Sequence, residues 1–357
     1  MIKKEKEAMI CLLAIPGIGR KTFKKVEKLA KEKRVPLIEI WEGKQSWIEF
    51  GFTTKQIVSI KNFQNRFGLS GYFDYLSKKN IRVVCFCDEE YSKLLLNIDD
   101  PPLVLYIKGN KIDQNKHSIS VVGTRKITPY GRAVTKKIVK ELVNRNFQIV
   151  SGFMYGVDIE AHQAALKSGG KTIGILGFGF DHFFPSLYKQ KFLEMLKQGM
   201  TFISEYPPFT KPTHGSFPER NRIVAGMSLG TVVTEAAKES GTMITSRLAG
   251  EYGRDVFAVP GNIFSEYSEG TKSLLNQGAC LVSSGEEIAE ELGLLEKEES
   301  SFQIHKDIVE QLKLGKQSFD YLLNTIGKDS RSLKINLSIM ELGGLIEREG
   351  KVWKIRV

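Results

Sequence analysis

Between residues 80 and 290 the chain repeats one pattern: a short β-rich run, a segment with helical spacing, then another β-rich run. IRVVCF, LVLYI, SISVVG, FQIVS, KTIGIL, TFISE, GTVVTE, DVFAVP and ACLVS read as strands. YGRAVTKKIVKELVNR, DIEAHQAALKS and TSRLAGEYG read as helices between them. Alternation of this kind is satisfied by a mostly parallel sheet with helices on both faces. The expected class is therefore α/β, a Rossmann-like doubly wound sheet over residues 70–290, with ligands bound outside the carboxyl ends of the strands.

Two flanking regions break the pattern. Residues 1–65 read as a helical module. Its clearest piece, LLAIPGIGRKTFKKVEKLAKEK, is an apolar run, a turn with Gly17 and Gly19, and a basic helix beginning near Lys21. That is the shape of a helix-hairpin-helix, whose glycines leave backbone N–H groups able to meet a phosphate. The plain alternative is an αα-hairpin. After an acidic, serine-containing linker at 293–304, residues 305–357 show three helical patterns and a hairpin turning at Glu349-Gly350, the order of a winged helix.

Charge follows the same division. The net charge is +11, and residues 1–65 hold 14 Lys and Arg against 7 Asp and Glu. Residues 305–357 hold 10 against 7, so the long middle is near neutral. Basic ends suit a polyanion, and equally suit solubility. The basic start of the chain has no signal-peptide cleavage pattern and no apolar run spans a bilayer, so a cytoplasmic protein without membrane contact is expected. Cys11, Cys85, Cys87 and Cys280 lack metal-ligand spacing and read as free thiols, so no metal is expected.

The loops after the strands carry the chemistry. In SISVVGTRKITPYGR a strand ends at Gly123, Arg125 follows, and Thr128-Pro129 opens a helix, so an anion near Arg125 is expected. In IVSGFMYGVDIEAH, Ser151, Gly152 and Gly156 frame a bend that lets backbone approach a phosphate. Asp158 and His162 there read as a helix cap and a partly buried histidine rather than as catalytic groups. In FPERNRIVAGMS, Pro218 is expected to start a helix, with Arg220, Asn221 and Arg222 in its first turn. Cations are unfavourable at a helix N-terminus, so local stability does not explain them and a bound polyanion does. In TVVTEAAKESGTMITSRLAGEYG, Ser240-Gly241-Thr242 opens another helix in a form suited to phosphate, and Arg247 follows. SGGKT at 168–172 precedes a strand and has Ala165 where a P-loop needs glycine; no GxGxxG follows the first strand. No nucleotide cofactor is expected.

Taken together, VGTRKITPYG, SGFMYGVDIEAH, ILGFGFD, SEYPPFTKPTHGSFPERNRIVAGMS, EAAKESGTMITSRLAGEYGRDVFAVPG and GTKSLLNQGA resemble, in order, the motifs of the DNA-processing protein A (DprA, also called Smf) family. The resemblance spans roughly 80–285. It implies a non-enzymatic, dimeric, cytoplasmic protein that binds single-stranded DNA, protects it during natural transformation and loads the recombinase RecA. It also implies DNA contacts by Arg125, Ser151, Gly152, Gly156, Arg220, Asn221, Arg222, Ser240, Gly241 and Thr242. Tyr155, Lys189 and Arg247 are added as DNA-binding candidates, and Gly17, Gly19 and Lys21 as accessory ones.

Four positions depart from the family pattern. Met154 and Tyr155 replace the Ala and basic residue of its usual SGLARGID loop, Tyr188 replaces an Asn, and Lys272 replaces another. Tyr155 either loses a phosphate contact or stacks on a base. Phe178, Phe180 and Phe217 are further candidate stackers that read more simply as core. Two other functions stay in view. One is a nucleotide-processing enzyme of the related phosphoribohydrolase type, for which Glu235 and Glu251 are the nearby acids. The other is a transcription regulator acting through Arg331, Lys334 and Lys351 of the tail.

Overall fold

The structure is a computed structural model that describes residues 3–294, 299–327 and 330–356. Its contacts divide it into two compact units, residues 1–292 and 293–357.

The first unit opens with α1 (Lys3–Ala14), α2 (Arg20–Lys33), α3 (Leu37–Glu42) and α4 (Thr54–Lys78). Next come β1 (Arg82–Cys85), α5 (Lys93–Leu96), β2 (Val104–Lys108), β3 (Ser118–Val122), α6 (Pro129–Asn144), β4 (Gln148–Ser151), α7 (Val157–Lys167) and β5 (Thr172–Leu176). The unit closes with α8 (Lys189–Lys197), β6 (Thr201–Ser204), α9 (Ser216–Gly226), β7 (Gly230–Val233), α10 (Gly241–Glu251), β8 (Asp255–Ala258), α11 (Glu269–Asn276), β9 (Cys280–Leu281) and α12 (Gly285–Glu291). All nine expected strands are present and form one sheet in the order β1-β2-β6-β5-β4-β3-β7-β8-β9.

From β6 to β9 every pairing is parallel; β1 and β2 are antiparallel additions at one edge. The inner strands β3, β4, β5, β6 and β7 are buried along their whole length, as strands covered on both faces must be. The chain runs outward from β3 to β6, then returns across the sheet to pair β7 with β3, Val122 facing Val233. That reversal opens a crevice at the carboxyl ends of β3 and β7.

The N-terminal helices do not hold a core of their own. Ile10, Phe23, Ile40, Ile60 and Tyr72 join one hydrophobic cluster with Tyr106 of β2, Leu176 of β5 and Phe202 of β6. The Tyr72 hydroxyl also meets that of Tyr106 at 3.0 Å. The helix pair expected at 1–65 is thus a layer over one face of the sheet. Phe178 and Phe180 are buried in the same cluster, as their simpler reading required.

In the second unit α13 (Glu299–Lys313), β10 (Gln317–Ser318), α14 (Phe319–Ile326), α15 (Ser330–Leu342), β11 (Ile346–Glu349) and β12 (Val352–Ile355) follow in the order of a winged helix. Its three-stranded sheet runs β10-β12-β11. Ile308, Leu322, Leu337, Met340 and Trp353 fill its core. Part of the expected linker, residues 295–298, lies outside the described residues, and a helix has begun by Glu299. Among the described residues no helix is long and apolar enough to cross a membrane, and no cluster of His, Cys, Asp and Glu has a metal site's composition.

Candidate nucleic-acid interface

The crevice between β3 and β7 is a cavity of about 470 Å³. It gathers Arg125, Gly152, Tyr155, Arg220, Asn221, Ser240, Gly241 and Thr242 from four separate segments of the chain. Three helix N-termini lie around it, and they differ in what their first N–H groups do.

The start of α6 is closed. Thr128 accepts from Gly131 N at 3.1 Å, and Pro129 follows as the first helical residue. Glu235, at the end of β7, holds that cap from behind: Thr128 N donates to its Oε2 at 3.0 Å and the Thr128 hydroxyl to its Oε1. The start of α7 is closed too, since Val157 N donates to the Thr124 carbonyl at 3.1 Å. The start of α10 is open. Ser240 is its N-cap but makes no side-chain capping bond; its carbonyl accepts from Met243 N at 3.0 Å, and among the described residues no side chain caps the N–H groups of Gly241 and Thr242. Asn221 Nδ2 ties this turn to α9 by donating to the Gly241 carbonyl at 3.3 Å. An open helix start with its dipole unopposed is an anion seat.

Two buried donors stand beside that seat without a hydrogen-bond partner among the described residues, Ser240 Oγ and Arg220 Nε. Arg220 is only 5% exposed. Its Nη1 donates to the Ile175 carbonyl, and its charge faces Asp158. Burial lowers the Arg220 pKa and raises that of Asp158, and each group's charge partly offsets the other's shift. Arg125 is exposed at the cavity mouth with Lys126 beside it. The site thus sets exposed Arg125 and Lys126 and an open helix start beside a buried Arg220–Asp158 pair, with Glu266 also in the wall, and the exposed cations and helix start suit a phosphodiester.

The helix carrying FPERNR starts earlier than proline suggests. Thr213 and Ser216 exchange reciprocal bonds, Thr213 N to Ser216 Oγ at 3.1 Å and Ser216 N to Thr213 Oγ1 at 3.2 Å. Helix α9 therefore begins at Ser216, and Arg220 lies in its second turn. Arg222 then points away from the cavity. It is buried and its Nη2 donates to Glu205 at 2.6 Å. Glu205 is shared with Arg20, the first residue of α2, which also meets Asp100 and Glu219 at 2.8 Å each. This cluster joins the N-terminal layer to the sheet.

Four more expected residues sit outside the cavity. Ser151 is buried and donates to the Val121 carbonyl at 2.7 Å. Gly156 lies behind Tyr155, at φ +92, where a Cβ would collide with the Thr124 carbonyl. Lys189 is exposed with its ammonium 5.9 Å from the Phe183 ring centre. Arg247 is exposed beside Glu251 at 3.6 Å and lines a different groove. Gly17, Gly19 and Lys21 line a separate cavity facing Glu205, Tyr206 and Phe209.

His162 is fully buried; its Nε2 donates to the Gly152 carbonyl at 2.6 Å and its Nδ1 meets Thr172 Oγ1 at 2.6 Å. Burial drives its pKa down to about 4, so it is a neutral scaffold group. Sequence reasoning missed Lys126, Glu266 and Tyr267 in the cavity wall. Lys126 was readable as the neighbour of Arg125. Glu266 and Tyr267 come from the loop after β8, whose Tyr267 carbonyl accepts from Ala236 N at 2.8 Å, a long-range bond with no local signal.

The family model of DNA recombination-mediator protein A matches residues 82–293. The chain is 40% identical over 216 residues to DNA processing protein DprA of Bacillus subtilis, covering 60% of this chain and 72% of that protein. Its fold is similar to that of DNA processing protein A from Streptococcus pneumoniae, with a TM-score of 0.64, 32% identity and coverage of 81% and 96% of the two chains. It is also similar to DNA processing protein A from Helicobacter pylori, a structure described for its single-stranded DNA binding mode, with a TM-score of 0.52, 30% identity and coverage of 59% and 95%.

Proposed function

The chain belongs to the DNA recombination-mediator protein A (DprA/Smf) family, and we propose that it binds single-stranded DNA in the crevice between β3 and β7. As the family implies, it acts in the cytoplasm as a homodimer, protects the strand during natural transformation and loads RecA recombinase onto it. One observation carries the binding claim. The uncapped start of α10 meets two buried donors without partners, Arg220 Nε and Ser240 Oγ, below an exposed Arg125. A phosphodiester seated at the start of α10 is met by Arg125 and lies beside the buried Arg220 charge. Phe217 in the same wall offers a ring that only unpaired bases can reach.

The enzymatic alternative finds less support. Both oxygens of Glu235 are occupied by Thr128, and Glu251 is exposed at the far end of α10 beside Arg247. Neither acid is poised over the anion seat. The regulator alternative is weakened by the outer face of α15, which exposes Ile335, Ile339 and Leu342 where a groove-reading helix carries polar groups. Lys334 sits over the Phe319 ring at 5.4 Å.

The test is competition. A labelled oligo-dT bound to the full chain should be displaced by unlabelled single strand and poorly by duplex of the same length. Equal displacement by duplex, or release of free base from a nucleoside monophosphate, contradicts the proposal.

A further inference from the structure

Beside the crevice lies a second cavity of about 390 Å³, and the two share Arg125, Lys126 and Tyr155 as a common wall. Its other walls bring Arg132, Tyr188 and Lys191. The acid in this wall, Glu160, is already neutralised by Arg132 and by Lys136 at 3.6 Å. Lys126, Lys191 and Arg125 are thus left without a carboxylate in this wall.

The aromatic groups form a ladder from core to solvent. Phe153 is buried at the base, packed edge-on against Phe202 at 4.9 Å. Tyr188 packs against Phe153 at 6.2 Å. Tyr155 packs on Tyr188 at 6.4 Å with the rings 31° apart, and it is 41% exposed. An exposed tyrosine braced by a ring that is itself anchored in the core has little freedom left to lose. Such a side chain is a ready stacking surface for a planar ligand.

We propose that this second cavity is a nucleobase subsite, in which the nucleotide next to the one held at α10 stacks on Tyr155 while Lys126 and Lys191 hold its phosphate. The inference rests on the single-strand reading of the crevice and assigns the direction in which the strand leaves it. The shared wall at Arg125 lets one phosphate serve both cavities. Stacking contributes to affinity without releasing counterions, so it is separable from the phosphate contacts by its salt dependence.

The experiment compares oligo-dT with an abasic deoxyribose-phosphate strand of equal length, using the full chain and the variants Tyr155→Ala, Tyr155→Phe and Lys191→Ala. Tyr155→Ala should weaken oligo-dT binding about 5- to 100-fold. It should leave abasic binding and the salt slope unchanged, with Tyr155→Phe close to the parent. Lys191→Ala should weaken both strands alike and make the slope shallower. If the parent binds oligo-dT and Tyr155→Ala binds it equally well, or loses both strands equally, the subsite is overturned while the crevice reading stands. A parent that binds neither strand overturns both.

Discussion

The Arg220 guanidinium packs directly against Gly152. A Cβ built on Gly152 would stand 2.5 Å from Nη1 and 2.6 Å from Nη2, with the Asp158 carboxylate equally close. Glycine is required here for close packing, because its φ is ordinary. The residue gives Arg220 a floor that a Cβ would take away. Gly152→Ala should therefore displace the guanidinium. The expected cost is about 1–3 kcal/mol of stability, read by urea denaturation, together with a loss of oligo-dT affinity in the protein that remains folded.

Arg220 and Arg222 should behave oppositely although only one residue separates them. Arg222→Ala removes one partner of a buried ion pair, leaving Glu205 to Arg20, and should cost on the order of 2–4 kcal/mol of stability. Its DNA affinity, measured on folded protein, should match the parent. Arg220→Ala should lose affinity.

Protonation of His162 should destabilise the fold in mild acid. Its pKa is about 4 folded and 6.5 ordinarily, so the unfolded chain binds the proton more readily between those values. Stability is then full above about pH 6.5 and falls by about 3 kcal/mol as pH drops toward 4. Asp158, whose carboxyl is raised by burial, acts in the opposite sense. The difference in stability between the parent and His162→Gln across pH isolates the imidazole: the parent's advantage should be constant above about pH 6.5 and shrink as pH falls toward 4.

Glu235 should prove structural. Glu235→Ala strips the Thr128 N–H and hydroxyl of their acceptor at a buried site and should cost about 1–3 kcal/mol. Oligo-dT binding by the folded fraction should persist, and chromatography should show no free base released from nucleoside monophosphates by the parent.

Much of this was readable from sequence, for a physical reason. Strands such as TIGIL and SISVV are apolar because both faces are covered, and the Thr128-Pro129 cap is a local signal that the structure keeps. The loops after strands are where a doubly wound sheet places ligands, so Arg125 and Ser240-Gly241-Thr242 could be chosen with no structure in hand. Arg222 lies outside the cavity, on Glu205, through a question of phase. Residues two apart on a helix point about 200° apart, so Arg220 and Arg222 cannot face one groove together. Which of them faces it depends on Thr213 and Ser216 setting the helix start. The packing of Gly156 and Ser151 was not legible because their partners, Thr124 and Val121, lie about 30 residues away in sequence on β3 and its loop. The shared core of α1–α4 and the sheet is likewise a long-range fact, carried by pairs such as Tyr72 and Tyr106.

The central claim is that Arg125 and the open start of α10 hold the backbone of single-stranded DNA. It is tested most directly by oligo-dT binding to the parent and to Arg125→Ala across a salt series. Arg125 is exposed, so its removal should leave the fold intact. The account predicts weaker binding and a slope of log affinity against log salt that is shallower by about 0.7 for each phosphate that the variant no longer neutralises. Unchanged affinity with an unchanged slope would contradict it and place the DNA elsewhere on the chain.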